Sequence, residues 1–220
     1  MSGKSPKKIL VLRFSSIGDI VLTFPVVAAL KSAYPDCQID YVTKPAFRHL
    51  LEACPGLSHI FTLEGSIRQL RKDINFQSYD TVLDLHNNLR TLLLTAFSGV
   101  KVYKYPKNNW NKWLLTRFKI KQEGRQHVVE RYLSTLKHAF GLEVLAPENP
   151  YEIPESEQFS IQDATGFTPR KYVAFAIGAQ FATKRLPTDL MIKLLQKVEL
   201  PVLLLGGKED QPTAHEIVAK

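Results

Sequence analysis

The chain has 220 residues, 45% hydrophobic and 23% charged, which excludes a disordered chain; 13 Pro and 11 Gly exclude a collagen-like or low-complexity one. No apolar run reaches the ~18 residues of a membrane span. The longest candidate, 9–30, is cut by Arg13 and by Gly18-Asp19, which also excludes a signal peptide. The expected address is the cytoplasm, and Cys37 and Cys54, without metal-ligand spacing, fit a reducing compartment.

In chain order, short runs rich in β-formers predict strands at 8–14, 38–43, 59–63, 81–85 and 100–103. Between them, helices are expected at 26–34, 67–74 and 88–97. Val128, Val129, Tyr132, Leu133, Leu136 and Phe140 keep a 3.6-residue period, and Gly141 follows as a helix stop. Alternating strands and helices predict a parallel sheet covered on both faces. Residues 146–154 hold three prolines and lead into a polar stretch, so 151–168 reads as a linker between an N-terminal lobe, 1–150, and a second unit, 169–220. The pattern then restarts: a strand at 172–177, a helix at 188–198, a strand at 201–207 and the opening of a helix at 210–220. This is about half of a doubly wound lobe, and the reading is of a fragment of a longer protein.

The net charge of +8 is concentrated. Residues 101–125 hold eight basic residues, among them Lys101, Lys104 and Lys107, against the single acid Glu123, with Trp110 and Trp113 interleaved. Such a segment suits an anionic surface: phospholipid headgroups, an acidic glycolipid or nucleic acid. It equally suits a solvated helix face with a few packed aromatics.

Three turns could carry chemistry. Arg13-Phe-Ser-Ser-Ile-Gly-Asp-Ile20 follows the first strand, at the carboxyl end where open α/β sheets bind ligands. Asp19 there is either a ligand-facing carboxylate or a helix cap, and one glycine is too few for a dinucleotide fingerprint. Gly178-Ala-Gln-Phe-Ala-Thr-Lys-Arg-Leu-Pro187 enters a helix with Lys184 and Arg185 beside its start, an anion site suited to a diphosphate or a loop with two solvated cations. Gly206-Gly-Lys-Glu-Asp210 is a sharp turn whose acids could hold sugar or ribose hydroxyls, or a plain turn.

Ile9-Leu-Val-Leu-Arg-Phe-Ser-Ser-Ile-Gly-Asp-Ile-Val-Leu-Thr-Phe-Pro25 resembles the opening of the ADP-heptose:lipopolysaccharide heptosyltransferases. Asp84-Leu-His-Asn-Asn-Leu-Arg-Thr91 is similar to that family's DLQxxLRS strand end, the 178–187 loop to its PGAxxxxKRWP loop, and the 206–210 turn to its GGPxE turn, all in the family's order. His86 stands where Gln is usual, Leu186 where Trp is usual and Ile177 where Pro is usual. The family's later DTGxxHL motif is not in the chain.

The resemblance implies an α/β fold of GT-B type: a Rossmann-like parallel-sheet N-terminal lobe that binds the acceptor, and a second Rossmann-like lobe, incomplete here, that binds the nucleotide sugar. It implies transfer of heptose from ADP-heptose to the acidic inner core of lipopolysaccharide, inverting and without metal or cofactor. This fragment alone is expected to be inactive. Asp19 would be the general base, opposite a diphosphate cradle at Thr183, Lys184 and Arg185. Glu209 would hold the donor nucleotide or sugar. Ser15, Ser16, Gly18, His86, Arg90, Lys101, Lys104 and Lys107 would face the acceptor. The basic segment would hold the protein peripherally at the cytoplasmic face of the inner membrane, and no nucleic acid would be a partner. Two other readings stand beside this one: a glycosyltransferase using another nucleotide sugar, and a non-catalytic lobe that binds acidic glycolipid.

Overall fold

The computed structural model describes residues 5–106, 126–144, 151–179 and 181–220. They divide into two compact units, Met1–Pro154 and Glu155–Lys220.

The first unit runs β1 (Lys8–Leu12), α1 (Ile17–Val21), α2 (Phe24–Ala33), β2 (Gln38–Thr43), α3 (Arg48–Glu52), β3 (His59–Thr62), α4 (Ile67–Asp73), β4 (Thr81–Asp84), α5 (Leu89–Thr95), β5 (Val102–Lys104) and α6 (Val128–Phe140). Its five strands form a sheet in the order β3-β2-β1-β4-β5, with every pair parallel. Strand β1 is central, and its unbroken apolar run follows from burial on both faces. Ile9 and Val11 enter one cluster with Phe24, Val27, Leu30, Tyr132 and Leu136, so α2 and α6 cover that face. Leu10 and Leu12 enter the other with Leu70 of α4, Ile74 just past it and Leu94 of α5. Each such side chain contributes about 1.5–3 kcal/mol of burial.

Helix α2 begins two residues before the expected 26, because Pro25 fits the first turn, where its missing N–H breaks no bond. Helix α6 ends at Gly141, which takes the left-handed conformation with φ 71°. Because all strands run the same way, their carboxyl ends share one edge of the sheet. The end of β1 is stitched to both neighbours there: the Arg13 N–H donates to the Val42 carbonyl at 3.0 Å, and the Leu85 N–H donates to the Leu12 carbonyl at 3.1 Å.

The second unit holds α7 (Ile161–Thr165), β6 (Val173–Ala176), α8 (Thr188–Leu195), β7 (Val202–Leu205) and α9 (Gln211–Val218). Strands β6 and β7 pair in parallel, with Val173 opposite Val202 and Ala176 opposite Leu205. Ile177, Met191 and Ile217 form a small core against Phe175, Ile192 and Leu204. Part of the polar stretch read as linker is helical. Ser160 Oγ accepts the Asp163 N–H at 3.2 Å to start α7, and Gly166 at φ 73° ends it. Among the described residues no helix is long and apolar enough to cross a membrane.

Candidate active site

The loop that leaves β1 is organised by Arg13, a residue the sequence shows only as a charge interrupting an apolar run. Its guanidinium is buried. Nε donates to the Ser15 carbonyl and Nη1 to the Leu85 carbonyl, both at 2.7 Å. Nη2 lies 2.6 Å from Asp19 Oδ2. The guanidinium carbon lies 5.8 Å from the centre of the Tyr132 ring, close enough for a cation–π contact. Asp19 therefore has a partner that is itself fixed to two strand ends.

Ser16, with extended backbone, is the residue that starts α1, and Asp19 is the third helical position. Asp19 Oδ2 accepts from Ser16 Oγ at 3.0 Å and from the Ser16 N–H at 3.4 Å. These contacts all fall on Oδ2, so Oδ1 has no bond among the described residues. The side chain is 38% exposed. Partial burial raises its pKa, but the Arg13 charge and the Ser16 hydrogen bonds outweigh burial and hold the carboxyl below the usual carboxylate range. Asp19 is thus ionised at neutral pH. Gly18 lies inside α1 rather than in a turn, and a Cβ there would meet nothing within 4 Å, so the surface beside Asp19 is open. Behind it, buried Thr23 donates from Oγ1 to the Ile20 carbonyl at 2.6 Å, which obliges Tyr41 Oη to donate to Thr23 Oγ1 at 2.8 Å. That chain pins α1 to β2.

The end of β4 is the neighbouring wall. Asp84 is fully buried, and its Oδ1 accepts the N–H of His86 at 3.1 Å and of Asn87 at 2.6 Å. Burial raises its pKa, against the lowering effect of those bonds, of Thr91 and of Lys104. The motif's resemblance points to His86 and Arg90 but not to Asp84, whose carboxyl shapes the turn that presents them. The His86 ring meets the Phe14 ring edge-on at 5.3 Å, so it backs the Arg13–Asp19 loop. Asn88 caps α5, accepting the Thr91 N–H at 3.0 Å. Arg90, exposed, lines a cleft of about 440 Å³ with Lys44, Pro45, Leu63 and Ile67.

The structure thus places Ser15, Ser16, Gly18, Asp19, His86 and Arg90 at the carboxyl edge of one sheet, with Lys44 added. Lys104 ends β5 at that edge. Lys101 precedes β5, toward the amino ends of the strands, and its Nζ sits 5.0 Å from the Tyr103 ring centre, so it is not brought to the edge with Asp19. Lys107 and most of 101–125 lie outside the described residues.

In the second unit, Thr183 and Lys184 are exposed on a single turn, Ala182–Lys184, with Lys184 Nζ 5.7 Å from the Phe181 ring centre. The N–H groups of Lys184 and Arg185 close this turn on the carbonyls of Phe181 and Ala182, at 2.9 and 3.1 Å. Arg185 is also engaged within the unit: Nε donates to the Ala179 carbonyl, and Nη2 lies 3.2 Å from Asp210 Oδ1. Asp210, buried, accepts the Gly207 N–H at 2.9 Å. A Cβ at Gly178 would meet its Oδ2 at 2.0 Å, so glycine is required there by contact. Arg185 and Asp210 tie the two loops together, and Lys184, Lys208 and Glu209 are exposed charges beside them.

Residues 67–220 match the sequence pattern described as Glycosyltransferase family 9 (heptosyltransferase). A lipooligosaccharide heptosyltransferase 2 of Haemophilus ducreyi is 26% identical, over 96% of this chain and 66% of its own length. A crystal structure of a family 9 glycosyl transferase from Veillonella parvula superposes with a TM-score of 0.76 at 20% identity, over 97% of this chain and 66% of that one. An E. coli heptosyltransferase solved with ADP-2-deoxy-2-fluoro heptose gives a TM-score of 0.68 at 17% identity, over 96% of this chain and 73% of that one. The chain spans about two thirds of the length of these relatives. A pattern match over more than half of its residues, together with a shared fold, shows that the chain belongs to glycosyltransferase family 9, the heptosyltransferase family.

Proposed function

We propose that the full-length protein transfers heptose from ADP-heptose to an acidic lipopolysaccharide-core acceptor, with inversion and without a metal, and that Asp19 is the general base. The observation that supports the base assignment is the Arg13–Asp19–Ser16 arrangement at the carboxyl edge of the first sheet, where parallel α/β sheets bind ligands. Asp19 Oδ2 is fixed by the protein, so Oδ1 is the atom that accepts the acceptor hydroxyl's proton. A carboxylate held this low is a weak base at rest. It becomes effective as the hydroxyl acidifies during attack, when the oxygen–carbon bond forms and the bond to the diphosphate breaks. Arg13 is a positioning residue: it keeps Asp19 ionised and oriented without reaching the substrate.

The leaving diphosphate gains negative charge as its bond to the sugar breaks. Lys184 and Thr183 are the groups proposed to meet it, and Arg185 holds their loop in place; electrostatic stabilisation of this kind is worth ~3–4 kcal/mol. Glu209 is proposed at the donor's nucleotide or sugar. Arg90, Lys104, Lys107 and His86 are proposed at the acidic acceptor, and Lys44 joins them because it shares the cleft with Arg90. The reaction is proposed at the cytoplasmic face of the inner membrane, where 101–125 would meet an anionic surface. The test is ADP release by the full-length protein. ADP-heptose with a core acceptor should support turnover, and another nucleotide sugar supporting it in place of ADP-heptose would overturn the donor assignment.

A further inference from the structure

Helix α5 is apolar on the side that faces away from the protein. Thr91, Leu94 and Thr95 are buried, whereas Leu89, Leu92 and Leu93 are 68%, 48% and 54% exposed. Phe97, just past the helix, is 100% exposed. Its φ of 54° is left-handed, a conformation that usually selects glycine or asparagine at a helix end. The turn is braced, because the Ser98 N–H donates to the Thr95 carbonyl at 3.2 Å and Gln77 Nε2 donates to the Ser98 carbonyl at 2.9 Å. A bulky ring in a costly conformation, held by bonds and touching nothing of its own chain among the described residues, marks an interaction surface.

The neighbouring helix supplies cations. Helix α4 carries Arg68, Arg71 and Lys72, and Arg71 Nη1 donates to the Leu93 carbonyl at 3.2 Å, which ties it to the apolar side of α5. With Arg90, the two helices hold four cations against one acid, Asp73. We infer that this α4–α5 surface docks on an anionic lipid bilayer, with Leu89, Leu93 and Phe97 entering the acyl boundary and the cations meeting headgroups. Charge selects this occupant. A second copy would set one cationic rim against another, and residues 107–125, with six basic residues and one acid, carry the same sign. Only an anionic surface offers both the apolar phase and the opposite charge.

The inference rests on the membrane placement proposed above and adds the surface that makes the contact; vesicle binding needs neither donor nor acceptor, so it and the transfer reading can fail separately. The experiment is flotation of the chain with phosphatidylglycerol–phosphatidylcholine vesicles and with pure phosphatidylcholine vesicles. Phe97→Ser combined with Leu93→Gln should lower partitioning onto the anionic vesicles by at least about tenfold. Thermal unfolding should not move, since both side chains are exposed. Arg68→Gln with Lys72→Gln should lower binding to the anionic vesicles and flatten its salt dependence. The inference is overturned if the chain does not float with anionic vesicles, or if the Phe97/Leu93 variant floats as the parent does. It is equally overturned if sedimentation velocity shows a dimer that this variant dissociates.

Discussion

Replacing Arg13 by Met tests the arrangement that holds Asp19. The change removes three contacts of 2.6–2.7 Å, one to a carboxylate and two to backbone carbonyls. Breaking a buried ion pair by deleting one partner costs about 3–5 kcal/mol. Here the carboxylate is 38% exposed, so water screens it and the pair's share is discounted. The loss of bonds to the Ser15 and Leu85 carbonyls adds to what remains, and the expected cost is about 2–4 kcal/mol. Native-state hydrogen exchange in urea, read on the amides of β1 and β4, reports it for the first unit alone. Its pH dependence has a defined sign. Asp19 is held below its ordinary value in the folded state, so its stabilisation is present above the ordinary carboxylate pKa and fades as pH falls through the folded one. The cost of Arg13→Met should therefore shrink below about pH 4, and the Asp19 carboxyl carbon should titrate at higher pH in the variant. A cost under about 0.5 kcal/mol with an unmoved titration would refute this account of the loop.

Further outcomes follow from single contacts. Asp84→Ala should cost the first unit about 2–3 kcal/mol by stranding the N–H groups of His86 and Asn87, whereas Asp84→Asn keeps an acceptor oxygen and should be far milder. Burial raises the pKa of Asp84, so the parent should lose stability as pH rises through the folded pKa, and Asp84→Asn should abolish that loss in urea melts at several pH values. Gly178→Ala would drive a Cβ against Asp210 and should destabilise the second unit by about 1–3 kcal/mol, measurable by exchange on β6 and β7. Lys184→Gln should lower turnover of the full-length protein about 10²- to 10³-fold without changing that exchange, because the side chain is exposed.

What the sequence shows depends on how far each signal extends. Gln38–Thr43 and Val128–Phe140 match their expected bounds residue for residue, because a buried β-branched run and a four-turn amphipathic period are unambiguous. Helices α3 and α7, at five residues each, are too short to show a period; α7 is set by its Ser160 cap and Gly166 stop, whereas α3 has no side-chain cap at all. The place of Asp19 after a strand offers a ligand-facing carboxylate or a helix cap without choosing between them, and it does not show the partner, Arg13. An arginine ending a buried strand reads as an interruption, although an acid six residues later was the available clue. Likewise 206–210 offered two acids. Glu209 is exposed and Asp210 is buried against Arg185, a difference set by packing that no residue pattern carries.

The central claim is that Asp19 takes the acceptor's proton, and Asp19→Asn in the full-length protein, followed by ADP release from ADP-heptose, tests it most directly. The amide keeps an oxygen for Arg13 and Ser16 to bond, so the loop's hydrogen bonds are retained while the charge of the ion pair is lost. Turnover is expected to fall by at least about 10²-fold with donor and acceptor binding retained, and a variant that turns over at the parent rate would contradict the account.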